Sequence, residues 1–191
     1  QGVNPSDTSP VTIDRGHVDV GPVSSDGGAT MALVDDSRTH ATQTVLRDPE
    51  SVRLSVPDHA KHVRGDVSAA EVRKAGLSGR PVFPDRAYDF LGAKGTPVWV
   101  LPQNQTDGLV WPGFSTEGVD YAGLPDGVDI GVRLLDGPAG AYAAVFQSGS
   151  PGGRPTVHFD SRDPSKSALH TTPPTHMHGN RGFSPPGTHP I

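Results

Sequence analysis

Two short histidine motifs near opposite ends of the chain carry the residue types and spacing best suited to chemistry. His176-Met177-His178 places two imidazoles at i and i+2, and His17-Val18-Asp19 places an imidazole and a carboxylate at the same spacing. On an extended strand, residues two apart point to the same face, about 7 Å from each other. Imidazoles and carboxylates are ligands of divalent transition metals. The motifs therefore predict a metal site formed by His17, Asp19, His176 and His178.

Each motif also has a structural explanation that needs no metal. Nine histidines in the chain make a chance His-x-His spacing common, and a histidine can simply hydrogen-bond to backbone. His17 and Asp19 would also fit the polar outer face of an edge strand. A shared site requires the two strands to lie together; we predict that they pair in one sheet, about 4.8 Å apart. Gln147 and Asp160 are the candidates for supporting contacts to the ligands.

Composition argues against several other functions. The chain has no cysteine, which excludes disulfides, thiolate ligands and cysteine nucleophiles. No Gly-x-Ser-x-Gly motif of a serine hydrolase occurs. With 16 lysines and arginines and a net charge of −5, no nucleic-acid partner is expected. No apolar run approaches the roughly 18 residues of a membrane helix, so we expect no membrane span in this chain.

The elements that must position the histidines are predicted to be strands. The sequence contains 24 glycines and 20 prolines in 191 residues, which works against long helices. Alternating or apolar segments separated by turn residues predict strands at residues 11–20, 30–34, 52–56, 97–101, 108–111, 128–135, 141–147 and 156–160. The 137–140 loop is predicted to join two of them as a hairpin. A Ser68 cap, Glu71 and a final Gly76 predict one short helix.

These elements indicate an all-β fold: a β-sandwich of mostly antiparallel strands with one short helix. A chain of this length can form one sizeable core, so residues 1–191 are predicted to be a single domain. Residues 1–10 and 184–191 are the candidates for flexible ends.

Four aromatic residues form a separate candidate for binding. They are Trp99, Trp111, Phe114 and Tyr121, in a region rich in glycine and proline. Exposed, they would offer a stacking surface to a sugar or peptide. Buried, they would belong to the core, and this is the interpretation that we favour.

Several motifs follow one another in order along most of the chain. They are Gly16-His-Val-Asp19, Phe90-Leu-Gly-Ala93, residues 95–103, residues 109–117, Gly137-Pro138, Val145-Phe-Gln147, Phe159-Asp-Ser161 and Thr175-His-x-His-x-Asn180. This succession resembles the actinobacterial surface-domain family called choice-of-anchor M.

The resemblance implies an exported protein, secreted or held at the cell surface. Members of the family are often anchored to the cell wall or membrane and are encoded beside ABC transporters of the type that imports manganese or zinc. A transporter substrate-binding protein or the cell wall is therefore an implied partner. The resemblance also places His17, His176 and His178 in the family's recurrent histidine motifs. Where the family has Asn-Trp-x-Phe, this chain has Asn180-Arg-Gly-Phe183, so we expect an aromatic wall beside the site to be missing.

The predicted function is an exported surface domain that binds a divalent transition metal (zinc, copper or manganese) through its histidine cluster, in association with metal uptake by an ABC transporter. Binding should weaken as pH falls and imidazoles become protonated. Two alternatives remain open. A three-histidine site with an open position would suit a metalloenzyme, and exposed Trp99 and Trp111 would suit a module that binds cell-wall carbohydrate or peptide. No catalytic residue is predicted, and a non-enzymatic role is favoured.

Overall fold

A computed structural model describes residues 8–65, 81–83, 86–148, 154–171 and 174–191. Within these ranges the secondary structure is strands with three short 3-10 helices, at Pro49–Ser51, Asp58–Ala60 and Arg86–Leu91. The predicted all-β class is therefore confirmed. The predicted helix at residues 68–76 lies outside the described residues.

The strands are short and closely spaced, as the turn residues predict. In chain order they are β1 (Val11–Ile13), β2 (Gly16–Ser25), β3 (Gly28–Asp35), β4 (Val45–Arg47), β5 (Val52–Leu54), β6 (Lys61–Arg64), β7 (Pro81–Val82), β8 (Pro97–Leu101), β9 (Val110–Ser115), β10 (Val128–Gly131), β11 (Tyr142–Gln147), β12 (Thr156–Asp160), β13 (Ala168–Thr171), β14 (His176–His178) and β15 (Asn180–Ser184).

The chain divides into two compact units that are interleaved in sequence. The first comprises the described parts of Gln1–Val56, Asn104–Ile130 and Leu169–His178, and the second those of Pro57–Gln103, Gly131–Ala168 and Gly179–Ile191. That the chain is a single domain, and that its sheets pack as a sandwich, stay predictions.

The first unit contains a five-stranded sheet in the order β14-β9-β2-β3-β4. Neighbouring strands are antiparallel, except that β2 and β9 run parallel. The long strands β2 and β3 form a hairpin whose connection is Asp26-Gly27. Gly27 has a φ of 85°, a left-handed conformation that favours glycine. Val18, fully buried on β2, anchors this hairpin to the core.

The second unit contains a six-stranded sheet in the order β12-β11-β15-β8-β6-β7, antiparallel apart from the β6–β7 pair. Its core consists of buried side chains from two of these strands, β8 and β11, and the third 3-10 helix: Tyr88, Leu91, Val98, Val100, Tyr142, Ala144 and Phe146. The fully buried Arg64 donates hydrogen bonds to the carbonyls of Tyr88, at 2.8 Å, and Phe83, at 2.6 Å. At the chain end, Pro190 O accepts a hydrogen bond from Leu135 N at 2.8 Å.

Some predicted strands differ from the observed ones. The predicted hairpin across residues 137–140 is wrong, because β10 pairs with β13 whereas β11 pairs with β12 and β15. Strand β9 continues to Ser115, beyond the predicted end at residue 111, and β10 ends at Gly131 rather than 135. Of the helices in the described ranges, none has the length and apolar character needed to cross a membrane.

Candidate metal centre

The four predicted ligands come from two strands of the five-stranded sheet that lie on either side of β9. On β2, His17 is opposite Trp111 and Asp19 is opposite Gly113. On β14, His176 is opposite Ser115 and His178 is opposite Gly113. The prediction that the two histidine strands pair directly is therefore wrong. They belong to one sheet, as expected, but β9 separates them.

Despite this separation, the donor atoms of all four side chains converge above β9. One ligand atom from each of His17, Asp19, His176 and His178 lies within 4.8 Å of all the others. His178 Nε2 is 3.2 Å from His17 Nε2 and 3.1 Å from His176 Nε2. The Asp19 carboxylate is 3.1 Å from His17 Nε2 and 2.8 Å from His176 Nε2. The residues predicted from the two motifs thus form one cluster.

These separations match the size of a metal coordination shell. Around an ion with bonds of about 2.0–2.1 Å, tetrahedral ligand atoms are about 3.3 Å apart. Five separations, two of them to Asp19 Oδ1 and one to Asp19 Oδ2, run from 2.8 Å, between His176 Nε2 and Asp19 Oδ1, to 3.6 Å, between His178 Nε2 and Asp19 Oδ1. All three imidazoles approach through Nε2, so the cluster can hold an ion with little rearrangement.

The cluster combines two buried side chains with two that are partly exposed. The side chains of Asp19 and His178 are only 10% and 11% exposed. Those of His17 and His176 are 22% and 34% exposed, so solvent reaches these two rings. A buried carboxylate requires a compensating charge or hydrogen bonds, and the partly exposed His17 and His176 are the members of the cluster that lie nearest to solvent.

An aromatic wall flanks the cluster, contrary to the expectation that it is missing. The Trp111 ring stacks on the His178 ring with centroids 3.8 Å apart and planes 17° apart, and its centroid is 5.0 Å from that of His17. The wall comes from β9 rather than from the segment after the histidines. Sequence reasoning placed Trp111 in the aromatic group and missed this role, because the register of β9 against both histidine strands is not visible in the motifs.

Asp36 is a second residue that the sequence reasoning missed. Its Oδ2 lies 3.8 Å from Nδ1 of His17, on the opposite side of that ring from the cluster. Hydrogen bonds from Thr44 and Arg38, followed by the charges of Arg38 and His17, hold the pKa of Asp36 below its ordinary value. At 3.8 Å the carboxylate is beyond hydrogen-bond distance. A carboxylate that hydrogen-bonds the outer nitrogen of a metal-binding histidine fixes the ring and strengthens it as a ligand, and a small shift of Asp36 would make that contact. In the sequence Asp36 stands between Asp35 and Ser37, and nothing in that run distinguishes it.

The two residues predicted to support the ligands belong to the second unit. Gln147 Oε1 lies 2.9 Å from His158 Nε2, and Asp160 Oδ1 accepts a hydrogen bond from Arg162 N at 3.0 Å. Their role beside the metal ligands stays a prediction.

The four aromatic residues do not form one exposed surface. Trp99 and Phe114 are only 9% and 8% exposed, as expected for core residues. Trp111 is half-buried against the histidine cluster. A stacking surface that uses both tryptophans is therefore not available in the described residues.

Comparisons of the chain with protein-family models, with curated proteins and with solved structures find no match. The geometry of the cluster is thus the principal evidence about function.

Proposed function

We propose that this protein is an exported surface domain that binds a divalent transition metal through His17, Asp19, His176 and His178. The observation that carries the proposal is the convergence of four donor atoms, from opposite ends of the sequence, within 4.8 Å of one another. Three imidazoles and one carboxylate suit zinc or copper, and the carboxylate also makes manganese acceptable.

A hydrogen-bonded cluster without metal is the competing explanation. A neutral imidazole has one N–H and one lone pair, so His17 and His176 could each donate to Asp19, from which they are separated by 3.1 and 2.8 Å. That arrangement leaves the His178 lone pair facing the same point. A single cation would bind the lone pairs of all three Nε2 atoms and the carboxylate together, which is why we favour a metal.

The donor count favours binding over catalysis. Catalytic zinc sites commonly have three protein ligands and keep one position for water, whereas four protein ligands fill a tetrahedral shell. With Asp19 as the fourth donor, this cluster resembles the filled kind. The metalloenzyme alternative would require Asp19 to remain unbound or the ion to expand its coordination.

The wider biological setting rests on the succession of motifs along the chain. An association with metal uptake by an ABC transporter, and a partner such as its substrate-binding protein or the cell wall, follow from that resemblance. A domain that captures an ion outside the cell would suit this setting, since its cluster is open to solvent at His176.

Metal titration of the purified protein after treatment with a chelator tests the proposal. We expect one zinc ion per chain in calorimetry and loss of this binding in His176→Ala/His178→Ala. His170→Ala is the matched control. His170 is an exposed histidine whose Nδ1 lies 2.6 Å from the carboxylate of Asp129, which is also exposed. Equal stoichiometry and affinity in the double variant and the wild type would refute the site.

Tryptophan fluorescence supplies a second measurement, which shows where on the protein the metal binds. Trp111 stacks on His178, so Cu²⁺ bound by the cluster should quench its emission. A Trp99→Phe background leaves Trp111 as the sole tryptophan. Quenching that persists unchanged after removal of His176 and His178 would place the copper elsewhere.

A further inference from the structure

The residue at the centre of the cluster has no side chain. Gly113 on β9 is opposite both Asp19 on β2 and His178 on β14, so these three residues form one row across the sheet. His17 is opposite Trp111 and His176 is opposite Ser115, which puts them at diagonal positions on either side of this row. Because strands two apart in a sheet are about 9.6 Å from each other, their side chains can meet only above the middle strand.

The space above Gly113 is occupied by the donor groups themselves. A Cβ at this position would be under 3.0 Å from Asp19 Oδ1, at 2.7 Å from His178 Cε1 and at 2.8 Å from His178 Nε2. Real Cβ atoms essentially never approach other heavy atoms so closely. Any other residue at 113 would therefore push apart two of the four donors.

The backbone of Gly113 does not require glycine. Ten glycines in the described residues have a positive φ, and Gly113 is not one of them. Gly28, in the same sheet, also lacks a positive φ, but a Cβ there would meet nothing within 4 Å. The two glycines share an extended backbone, and they differ in what lies above them.

We propose that Gly113 is the positioning residue of the metal centre: its missing side chain is the space in which donors from two non-adjacent strands meet. The effect of Gly113 on metal binding rests on the proposed function. The convergence of the donor groups above Gly113 does not, because it is present without an ion. The cluster spans three strands, and a residue without a side chain at position 113 allows the donors from β2 and β14 to meet above β9.

Zinc calorimetry of Gly113→Ala against Gly28→Ala is the first test. We expect Gly113→Ala to weaken zinc binding by more than about 100-fold, beyond the loss typical of an outer supporting residue. Gly28→Ala should stay within about threefold of the wild type, as an open surface substitution does. Equal affinities in the two variants would overturn the inference.

Nitrogen-15 NMR of the histidine rings in the metal-free protein separates this inference from the proposed function. Gly113→Ala should shift the Nε2 signals of His17, His176 and His178, and Gly28→Ala should leave them in place. If the wild type binds no zinc, the proposed function is wrong. The ring signals of the metal-free protein would still show whether Gly113 positions the histidines. Unchanged ring signals in Gly113→Ala would contradict it.

A mutant cycle covers the case in which Gly113→Ala folds poorly. In an Asp19→Ala/His178→Ala background the groups that a Cβ would meet are gone, so Gly113→Ala should lower Tm much less than it does in the wild type. The same loss of Tm in both backgrounds would mean that the backbone requires glycine, and the inference would be wrong.

Discussion

Two buried aspartates on adjacent strands of the same sheet have opposite environments. Asp35 on β3 is 2% exposed and Asp19 on β2 is 7% exposed. Asp35 accepts hydrogen bonds from Arg47 Nε at 2.7 Å and from Ser37 N at 3.0 Å. Asp19 instead lies among His17, His176 and His178.

The difference separates a structural ion pair from a carboxylate in a candidate binding site. Arginine stays protonated in proteins, so Arg47 compensates the charge of Asp35 permanently. Imidazoles carry positive charge only when protonated, so Asp19 can be compensated by N–H groups of its histidine neighbours or by a cation that they share. Asp35 has its balancing charge within the chain, whereas under the proposed function Asp19 receives that charge from a bound metal ion.

Breaking the Asp35 pair should produce the largest loss of stability. Arg47→Met leaves a buried carboxylate without its partner, which costs about 3–5 kcal/mol of the free energy of unfolding. Urea unfolding with chelator present measures this effect. Arg15→Met is the control, since the Arg15–Asp14 pair is 63% and 62% exposed and such pairs contribute about 1 kcal/mol or less. Similar losses in both variants would contradict the contrast.

Adding metal should stabilise the site around Asp19. Zinc at about 100 times its Kd should raise the free energy of unfolding of the wild type by about 2.7 kcal/mol. His176→Ala/His178→Ala should show no such increase in the same urea titration. An equal increase in the double variant would mean that zinc stabilises the protein from another place.

Changing Asp36 should have a smaller effect, because it reaches the ion only through His17. Asp36→Asn is expected to weaken zinc binding about tenfold, at the low end for an outer carboxylate. Asp26→Asn, an exposed aspartate in the β2–β3 turn, is the matched control for calorimetry. If both variants bind alike, Asp36 does not support His17.

The smallest change in the free energy of unfolding is expected on acidification, because opposing causes act on the pKa of Asp35. Burial would raise the pKa of Asp35, but hydrogen bonds from Ser37 and Arg47 outweigh it and hold the pKa below its ordinary 3.8. The stabilisation is present above that ordinary value and is lost as pH falls through the lower folded value. Urea unfolding of the metal-free protein between about pH 5 and 2 should show a smaller loss in Arg47→Met, because without Arg47 the folded pKa of Asp35 rises and less stabilisation is left to lose. Identical pH curves would show that Arg47 does not set the pKa.

The pairing of donors within each motif was predictable from local geometry. Alternation along a strand dictates that His17 and Asp19 share a face, and likewise His176 and His178, wherever the strands lie. The turn residues also predicted many short strands and an all-β class, and the structure confirms that class. These features depend on residues that are close together in the sequence, so local sequence patterns are enough to predict them.

The arrangement between motifs was not predictable in the same way. Strand β9 contains Pro112 and Gly113, residues that argue against a central strand, and the predicted segment accordingly stopped at residue 111. With β9 cut short, direct pairing of the histidine strands was the natural prediction. The roles of Trp111 and Gly113 follow from the register of β9 against both neighbours, which only the folded chain defines.

Anomalous diffraction from crystals grown with zinc tests the metal centre most directly. The expected result is one anomalous peak above Gly113, about 2.0–2.2 Å from Nε2 of His17, His176 and His178 and from an Asp19 oxygen. Fully occupied zinc bound only at other residues, with these four side chains joined by hydrogen bonds alone, would contradict it.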